Sequence, residues 1–480
     1  MEAQSAPATI SVALRSAVKG RVIGPGDNDY DEARKVFYGG PDRKPAAIVR
    51  VMDRSDVARV ITFARESEVE LAVRSGGHSV ARHSVVDGGI VLDLGELKGL
   101  TIDPEGHSAW AETGLTADEY TTATAAHGLA TGFGDTGSVG IGGITLAGGI
   151  GFFVRKHGMT IDNLLAAELV TADGQTLHAD AESHPDLFWA LRGGGGNFGV
   201  VTRLKFRLQK IDRIYGGMLC MPATVDTIVS LVEETMTAPD ELSAMVNVMK
   251  APMPFIPEEH QGRPIVMVLL AHCGEMGEGE QIVDRLRKIG SPIADMARPM
   301  RYVESFPPAE NEFHPVAANR TMFAECIDRD GALSILEHLE ASSAFMAVAH
   351  LRALGGAMGR VPNDATAFAH RDRSLLANVA ALYESADQQA EHEAWVTELS
   401  GAISGEPGAY AGFLGEDGPE RINEAYPTAT WERLVEVKRR YDPDNMFRLN
   451  HNVSPPETAA AGPEHDQVYG VAPSQTSREE

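Results

Sequence analysis

The chain has 480 residues, 68 of them acidic and 42 basic, for a formal charge of −26. That balance excludes DNA, RNA or an anionic membrane as a main partner, since each needs a basic footprint. With 43% hydrophobic and 23% charged residues, the chain can bury a full core, which excludes a solvated disordered protein as well.

The first residues, Met1-Glu-Ala-Gln-Ser-Ala-Pro7, are acidic where a secretory leader would be basic, and no apolar segment follows. The expected location is the cytoplasm, and no stretch approaches the roughly 18 apolar residues of a membrane span. Residues 46–52 predict a strand. Val57, Val60, Ile61 and Ala64 then recur at helical spacing behind Ser55, a candidate cap. Strands are predicted at 70–74 and 89–94, and Thr116-x-x-Glu119 has the form of a capping box that opens a helix to about His127. A helix carrying Phe188, Trp189 and Leu191 ends at four glycines, 193–196, and 200–208 reads as a strand.

From about 211 to 410 the texture changes. Strand-like runs at 215–221, 245–249, 264–272, 321–327 and 345–352 alternate with helical stretches near 224–236, 278–289, 331–341 and 387–402. A second domain with one sheet backed by helices is expected. Beyond Gly412 a helix with Trp431, Leu434 and Val435 on one face stops at Asp442-Pro443. The polar stretch after Pro455 is expected to trail in solvent. Cys220, Cys273 and Cys326 are isolated, with no metal-ligand spacing, so reduced thiols and no metal are expected.

Glycine density is the first anomaly. Nine of the twenty residues from Gly132 to Gly151 are glycine, interleaved with Val139, Ile141, Ile144, Leu146 and Ile150, which a flexible linker lacks. Glycine costs roughly 0.5–1 kcal/mol inside a regular element, so such density needs a reason. Close backbone approach to a bulky polar ligand, with N–H groups turned to phosphate oxygens, supplies one. A second glycine site, Arg74-Ser75-Gly76-Gly77-His78-Ser79, directly follows a strand and projects His78 from a tight turn. The dinucleotide fingerprint Gly-x-Gly-x-x-Gly after a first strand is not the pattern here.

These segments, with Gly193–Thr202 and Tyr441–Asn452, resemble the FAD-linked oxidases of the vanillyl-alcohol oxidase and p-cresol methylhydroxylase superfamily. The likeness is to their berberine-bridge-like branch and spans about residues 45 to 455. It implies an α+β, two-domain PCMH-type fold. The FAD domain would comprise 1–210 and a C-terminal return at 411–455. A substrate domain at 211–410 would carry an antiparallel sheet backed by helices, and 456–480 would be a flexible tail.

The resemblance places His78 where the branch bonds its imidazole to the flavin 8α-methyl carbon. Ser75, Gly76, Gly77 and Ser79 fall where the pyrophosphate is held, with Arg74 heading that segment. Gly140, Gly142, Gly143 and Gly149 match further cofactor contacts, with Gly137 in the same block. Val200 matches one near the adenine, and Asn450 and Asn452 lie in the strip that returns to line the flavin. Many members add a cysteinyl tether, but Thr136 takes that position here. A hydroxyl cannot form the thioether, so FAD is expected to be linked through His78 alone, as in the 6-hydroxynicotine-oxidase-like members.

An oxidase is implied, removing a hydride from a small or medium-sized alcohol, amine or secondary metabolite and reducing O2 to H2O2. An oxygenating or rearranging tailoring enzyme, or a dehydrogenase with another acceptor, is the alternative. Tyr410 and His451 are the candidate bases; a tyrosine in that role needs a lowered pKa. His350, Arg352, Arg320, Glu325 and His370 fall in the second domain without an assigned role. A monomer or homodimer is expected.

Overall fold

Parallel strands need a crossover between them, and the helix Arg54–Glu66 supplies it in a computed structural model that describes residues 7–250, 255–307, 314–403, 405, 407–416 and 418–455. The expected solvent tail lies outside the described residues. Asp53 caps this helix, its carboxylate accepting the N–H groups of Ser55 and Asp56, so the cap stands two residues ahead of Ser55. Val57, Val60, Ile61 and Ala64 form its buried stripe. Strands Ala47–Arg50, Ile90–Asp93 and Leu71–Arg74 pair in parallel in that order, with Arg21–Ile23 antiparallel on the outer edge. Leu71–Arg74 is therefore an edge strand, and the chain leaving it at Ser75 is free to turn out of the layer.

A second, antiparallel sheet runs in the order Leu100–Asp103, Ser108–Glu112, Val200–Arg207, Leu164–Val170, Thr176–Asp180. The capping box forms as predicted, with Thr116 and Glu119 closing the helix Ala117–Ala125 from both sides. Within the glycine-dense block, Ile141–Ala147 is a short helix.

The remaining sheet forms a roof. Eight antiparallel strands are built around Arg213–Pro222, Ile265–His272, Leu242–Lys250, Met346–Ala353, Leu375–Tyr383 and Val316–Ala324, neighbours in that order. Alternate residues such as Val246, Val248, Val268, Ala349, Leu351, Ala377 and Val379 pack against the helices Val225–Thr237, Met276–Ile289, Arg329–Ala341 and Gln389–Ile403. The opposite face looks towards the FAD half. The strand expected at 321–327 lies earlier, at Val316–Ala324. Leu375–Tyr383, the strand next to the roof's Val316–Ala324 edge, has no counterpart among the predicted elements. Its three leucines and three alanines read equally as helix, and tertiary pairing decides.

Two buried cations tie the chain together, Arg155 across the two halves and Lys438 within the FAD half. Arg155 donates to the carbonyl oxygens of Thr235 and Ala238, each at 2.7 Å, closing the end of a roof helix. Lys438, wholly buried on the C-terminal helix Thr428–Tyr441, donates to Asp442 at 2.6 Å and to the carbonyls of Asn197 and Phe447, each at 2.9 Å. The same Asp442 accepts the N–H groups of Met446 and Phe447, so the returning segment is held in place by one ion pair.

Candidate active site

The two glycine segments meet backbone to backbone at Gly76 and Gly140, 64 residues apart in sequence. A Cβ on Gly76 would stand 2.2 Å from the Gly140 nitrogen, and one on Gly140 would stand 2.3 Å from the Gly76 nitrogen. Neither position tolerates a side chain. Ser75 sits beside them and its hydroxyl donates to the Thr113 carbonyl at 2.6 Å. A Cβ on Gly143 or Gly196, by contrast, would meet nothing within 4 Å, and both residues line a cavity of about 510 Å³ between the glycine trough and the roof. Part of the glycine density thus serves chain-to-chain contact, and part leaves bare backbone facing the cavity.

His78 lines this cavity. The Phe37 ring stacks on the imidazole at 4.3 Å, and the Ser138 hydroxyl lies 3.2 Å from Nε2. Burial depresses the histidine to about 4, so the ring is neutral at physiological pH and keeps a nitrogen lone pair. Across the cavity, Thr136 donates to Asp135 at 3.0 Å, and the other Asp135 oxygen takes the Arg352 guanidinium. Burial alone would raise Asp135, but Arg352 beside it holds the carboxyl below its usual range. Among the described lining residues Asp135 is the one side chain of full charge, and it is paired.

A flavin nucleotide fits these walls. Its phosphates would meet backbone N–H groups rather than cations, on the glycine positions that open to the cavity. Three polar atoms of lining residues, Ser84 Oγ, Asn450 Oδ1 and His350 Nε2, are buried without a hydrogen-bond partner among the described residues, as a site for a polar ligand would leave them.

Residues 45–180 match the FAD binding domain family, and residues 409–454 match the family described as berberine and berberine like. Over 457 residues the sequence is 30% identical to the (R)-6-hydroxynicotine oxidase of Paenarthrobacter nicotinovorans, covering 92% of this chain and 97% of that one. The chain belongs to the berberine-bridge-like FAD-linked oxidases. An uncharacterised FAD-linked oxidoreductase of Bacillus subtilis is also 30% identical, over 461 residues covering 92% and 98%. The crystal structure of 6-hydroxy-D-nicotine oxidase from Arthrobacter nicotinovorans superposes with a TM-score of 0.81 at 27% identity, covering 91% of this chain and 98% of that one. This protein is therefore an FAD-linked oxidoreductase with the two-domain α+β fold of its relatives.

Of the residues singled out in the sequence of this oxidase, Ser75, Gly76, Gly77, His78, Ser79, Thr136, Gly140, Gly142, Gly143, Val200 and Asn450 all line the cavity. Arg74, Gly137, Gly149 and Asn452 do not. Arg74 is buried beneath the loop, donating to Asp93 at 2.9 Å and to the Ala33 carbonyl at 2.8 Å, so it positions the turn. Gly137 packs on Asp118 and Phe306. Asn452 donates to Ser454. Gly149 gives its N–H to the Tyr410 hydroxyl oxygen at 2.9 Å.

Tyr410 and His451 both reach the cavity. Burial pushes the Tyr410 phenol up to about 12, the reverse of the lowered value anticipated. His451 falls to about 4 through burial, with a hydrogen bond to the Ala411 backbone pulling the other way, and its ring meets His83 edge-on at 4.9 Å. The sequence reading missed the lining residues Phe37, Tyr38, Asn319 and Asn378. The adjacent aromatics Phe37-Tyr38, in a chain with 6% aromatic residues, were the available signal. Among the described residues no helix is long and apolar enough to cross a membrane.

Proposed function

We propose that this chain is an FAD-dependent oxidase that takes a hydride from a small or medium-sized alcohol, amine or secondary metabolite and reduces O2 to H2O2, with FAD tethered through His78 alone. The observation that carries this reading is a neutral, stacked imidazole at the wall of a glycine-lined cavity, with a threonine rather than a thiol at position 136. FAD, when bound, supplies the two-electron acceptor. The chain does the rest. Ser75, Gly76, Gly77, Ser79, Gly140, Gly142 and Gly143 hold the cofactor, with Val200 and Asn450 at its flanks. Phe37 and Ser138 fix the plane of His78, and the neutral ring presents the lone pair that a bond to carbon requires.

Tyr410 keeps its proton at neutral pH and serves as a hydrogen-bond donor, its oxygen oriented by the Gly149 N–H. His451, stacked among buried groups, orders the returning strip. The roof lies over the cavity, and polar contacts inside strengthen where it keeps water out. Acid precipitation of the purified protein tests the tether. Yellow colour is expected to stay in the pellet and flavin mass on the peptide holding His78, and peroxide should form with a competent donor. A colourless pellet with free FAD in the supernatant refutes the covalent link, and a protein that takes up no flavin refutes the whole reading.

A further inference from the structure

The roof concentrates its polar side chains in one transverse row. Asn247, His350, Asn378 and Thr321 stand directly opposite one another on four neighbouring strands, so they project from the same face, away from the backing helices. Three of the four have their polar atoms engaged. Asn247 donates to the Met267 carbonyl at 3.3 Å, Thr321 to the Ala377 carbonyl at 3.5 Å, and Asn378 accepts from Asn319 at 3.2 Å. His350 stands apart: it lines the cavity, and its Nε2 is buried with no partner among the described residues.

The charged and titratable groups facing it are few. Arg352, two residues along the same strand, is committed to Asp135 and to the Ile150 carbonyl, and Asp135 is committed to Arg352 and Thr136. Tyr38 and Tyr410, both pushed up to about 12 by burial, are neutral donors on the other walls. Burial first, and then Arg352, lower the His350 pKa and keep the imidazole neutral, with Asp135 pulling the other way. The substrate end of the cavity thus offers dipoles and a neutral imidazole, and no charge left unpaired. A bare ammonium or carboxylate would be stripped of water with no counter-ion to meet, which is costly.

We propose that His350 is the catalytic residue that receives the hydroxyl proton of the substrate, and that the substrate class is uncharged alcohols. The inference rests on the oxidase reading above and names its substrate class and base. In the step, the O–H bond breaks and its proton passes to Nε2 of the Nδ1–H tautomer. The carbinol C–H electron pair leaves as a hydride to bound FAD, and the C–O bond becomes a carbonyl. Proton and hydride are carried off when O2 is reduced to H2O2, so one alcohol and one O2 give one carbonyl compound and one H2O2. Asp135 lies close enough to steady the transient imidazolium, and Arg352 keeps Asp135 ionised and in place.

The test uses the flavin-loaded full chain with benzyl and cinnamyl alcohols against benzylammonium and benzoate. Binding is read from perturbation of the flavin absorbance, and reduction from anaerobic bleaching in a stopped-flow instrument. The alcohols should shift the spectrum at concentrations at least ten-fold below those the charged analogues need, and should bleach the flavin. His350→Gln, which keeps a hydrogen-bonding end but cannot take a proton, should bind alcohols within about three-fold of the parent while bleaching falls by about 10²–10⁴-fold. His350→Ala should lose the binding preference as well. Tighter binding or faster bleaching by the ammonium, an alcohol that causes no spectral shift, or undiminished bleaching in His350→Gln each overturn the proposal. Such a result leaves the oxidase reading standing, because flavin content and the His78 adduct are measured separately in the same preparation.

Discussion

The trough and the roof meet at one cavity but are built from opposite materials. The trough is backbone: Gly76 against Gly140, with Gly143 and Gly196 left bare. The roof is side chain, a row of Asn247, His350 and Asn378 on an antiparallel sheet. A backbone surface suits a ligand that does not change, since N–H groups and glycine conformations admit few substitutions. A pleated face with alternating side chains can be rewritten residue by residue without disturbing the fold, and that is where substrate choice belongs.

If that division is right, the harshest breaks lie on the trough side. Lys438→Met leaves Asp442 buried and unpaired and releases two carbonyls, at Asn197 and Phe447. A loss of about 3–5 kcal/mol is expected in denaturant unfolding of the full chain, together with loss of flavin. A midpoint unchanged from the parent would show that the return segment is held by something else. Gly140→Ala comes next. Its methyl would overlap the Gly76 nitrogen and Ser75 Oγ, each at 2.3 Å, so one segment must move. About 1–3 kcal/mol of destabilisation is expected, and the ratio of flavin absorbance to protein absorbance should collapse even where the protein still folds. On the roof, Ala380→Ser, at a position that only lines the cavity, should leave both quantities within error.

The same contrast explains what could be read from sequence. The trough was legible because glycine is conspicuous: the density from 132 to 151, and the turn before His78, point to both walls. That Gly76 and Gly140 touch was not legible, since nothing local encodes a contact 64 residues apart. The roof was legible as strands and helices, yet its strand Leu375–Tyr383 was missed, because its mix of leucine and alanine carries no clear period. His350 looked like any isolated histidine. Its meaning lies in register, in standing opposite Asn247 and Asn378, and in an Nε2 that nothing in the fold satisfies. Lys438 and Asp442 were in view as an i, i+4 pair, but surface pairs of that spacing are common, and burial alone gives this one its weight.

Acid sharpens the comparison at smaller amplitude. His451, at the trough side of the cavity, has its pKa lowered to about 4 in the folded chain against about 6.5 when unfolded. Between those values the unfolded chain binds the extra proton, so the stability it contributes is present above pH 6.5 and is lost as pH falls to 4. His451→Gln should flatten the stability-versus-pH curve in that window by up to about 1.4 kcal/mol per pH unit and leave the curve above pH 7 parallel to the parent's. A curve of unchanged slope would mean that the ring is already solvated.

The finest probe sits where the two regions touch. Thr136 belongs to the glycine block by sequence, yet its hydroxyl serves the roof, donating at 3.0 Å to the Asp135 carboxylate that holds Arg352. Thr136→Val keeps the shape and removes that donor. Asp135 then retains Arg352 but loses one of the contacts that hold its carboxyl down, so its pKa should rise. A stability loss of about 0.5–1.5 kcal/mol at pH 7 is expected. The sign with pH follows from the depressed carboxylate: the stability Asp135 contributes is full above its unfolded pKa and is lost as pH falls through the folded one, and in the variant, with a higher folded pKa, the loss should be smaller and complete at a higher pH. The flavin adduct on His78 should be untouched, because no trough contact is altered. If Thr136→Val instead abolished the adduct and left the acid limb of the stability curve where it was, residue 136 would belong to cofactor attachment, and the boundary between backbone-built trough and side-chain-built roof would have to be redrawn on its far side.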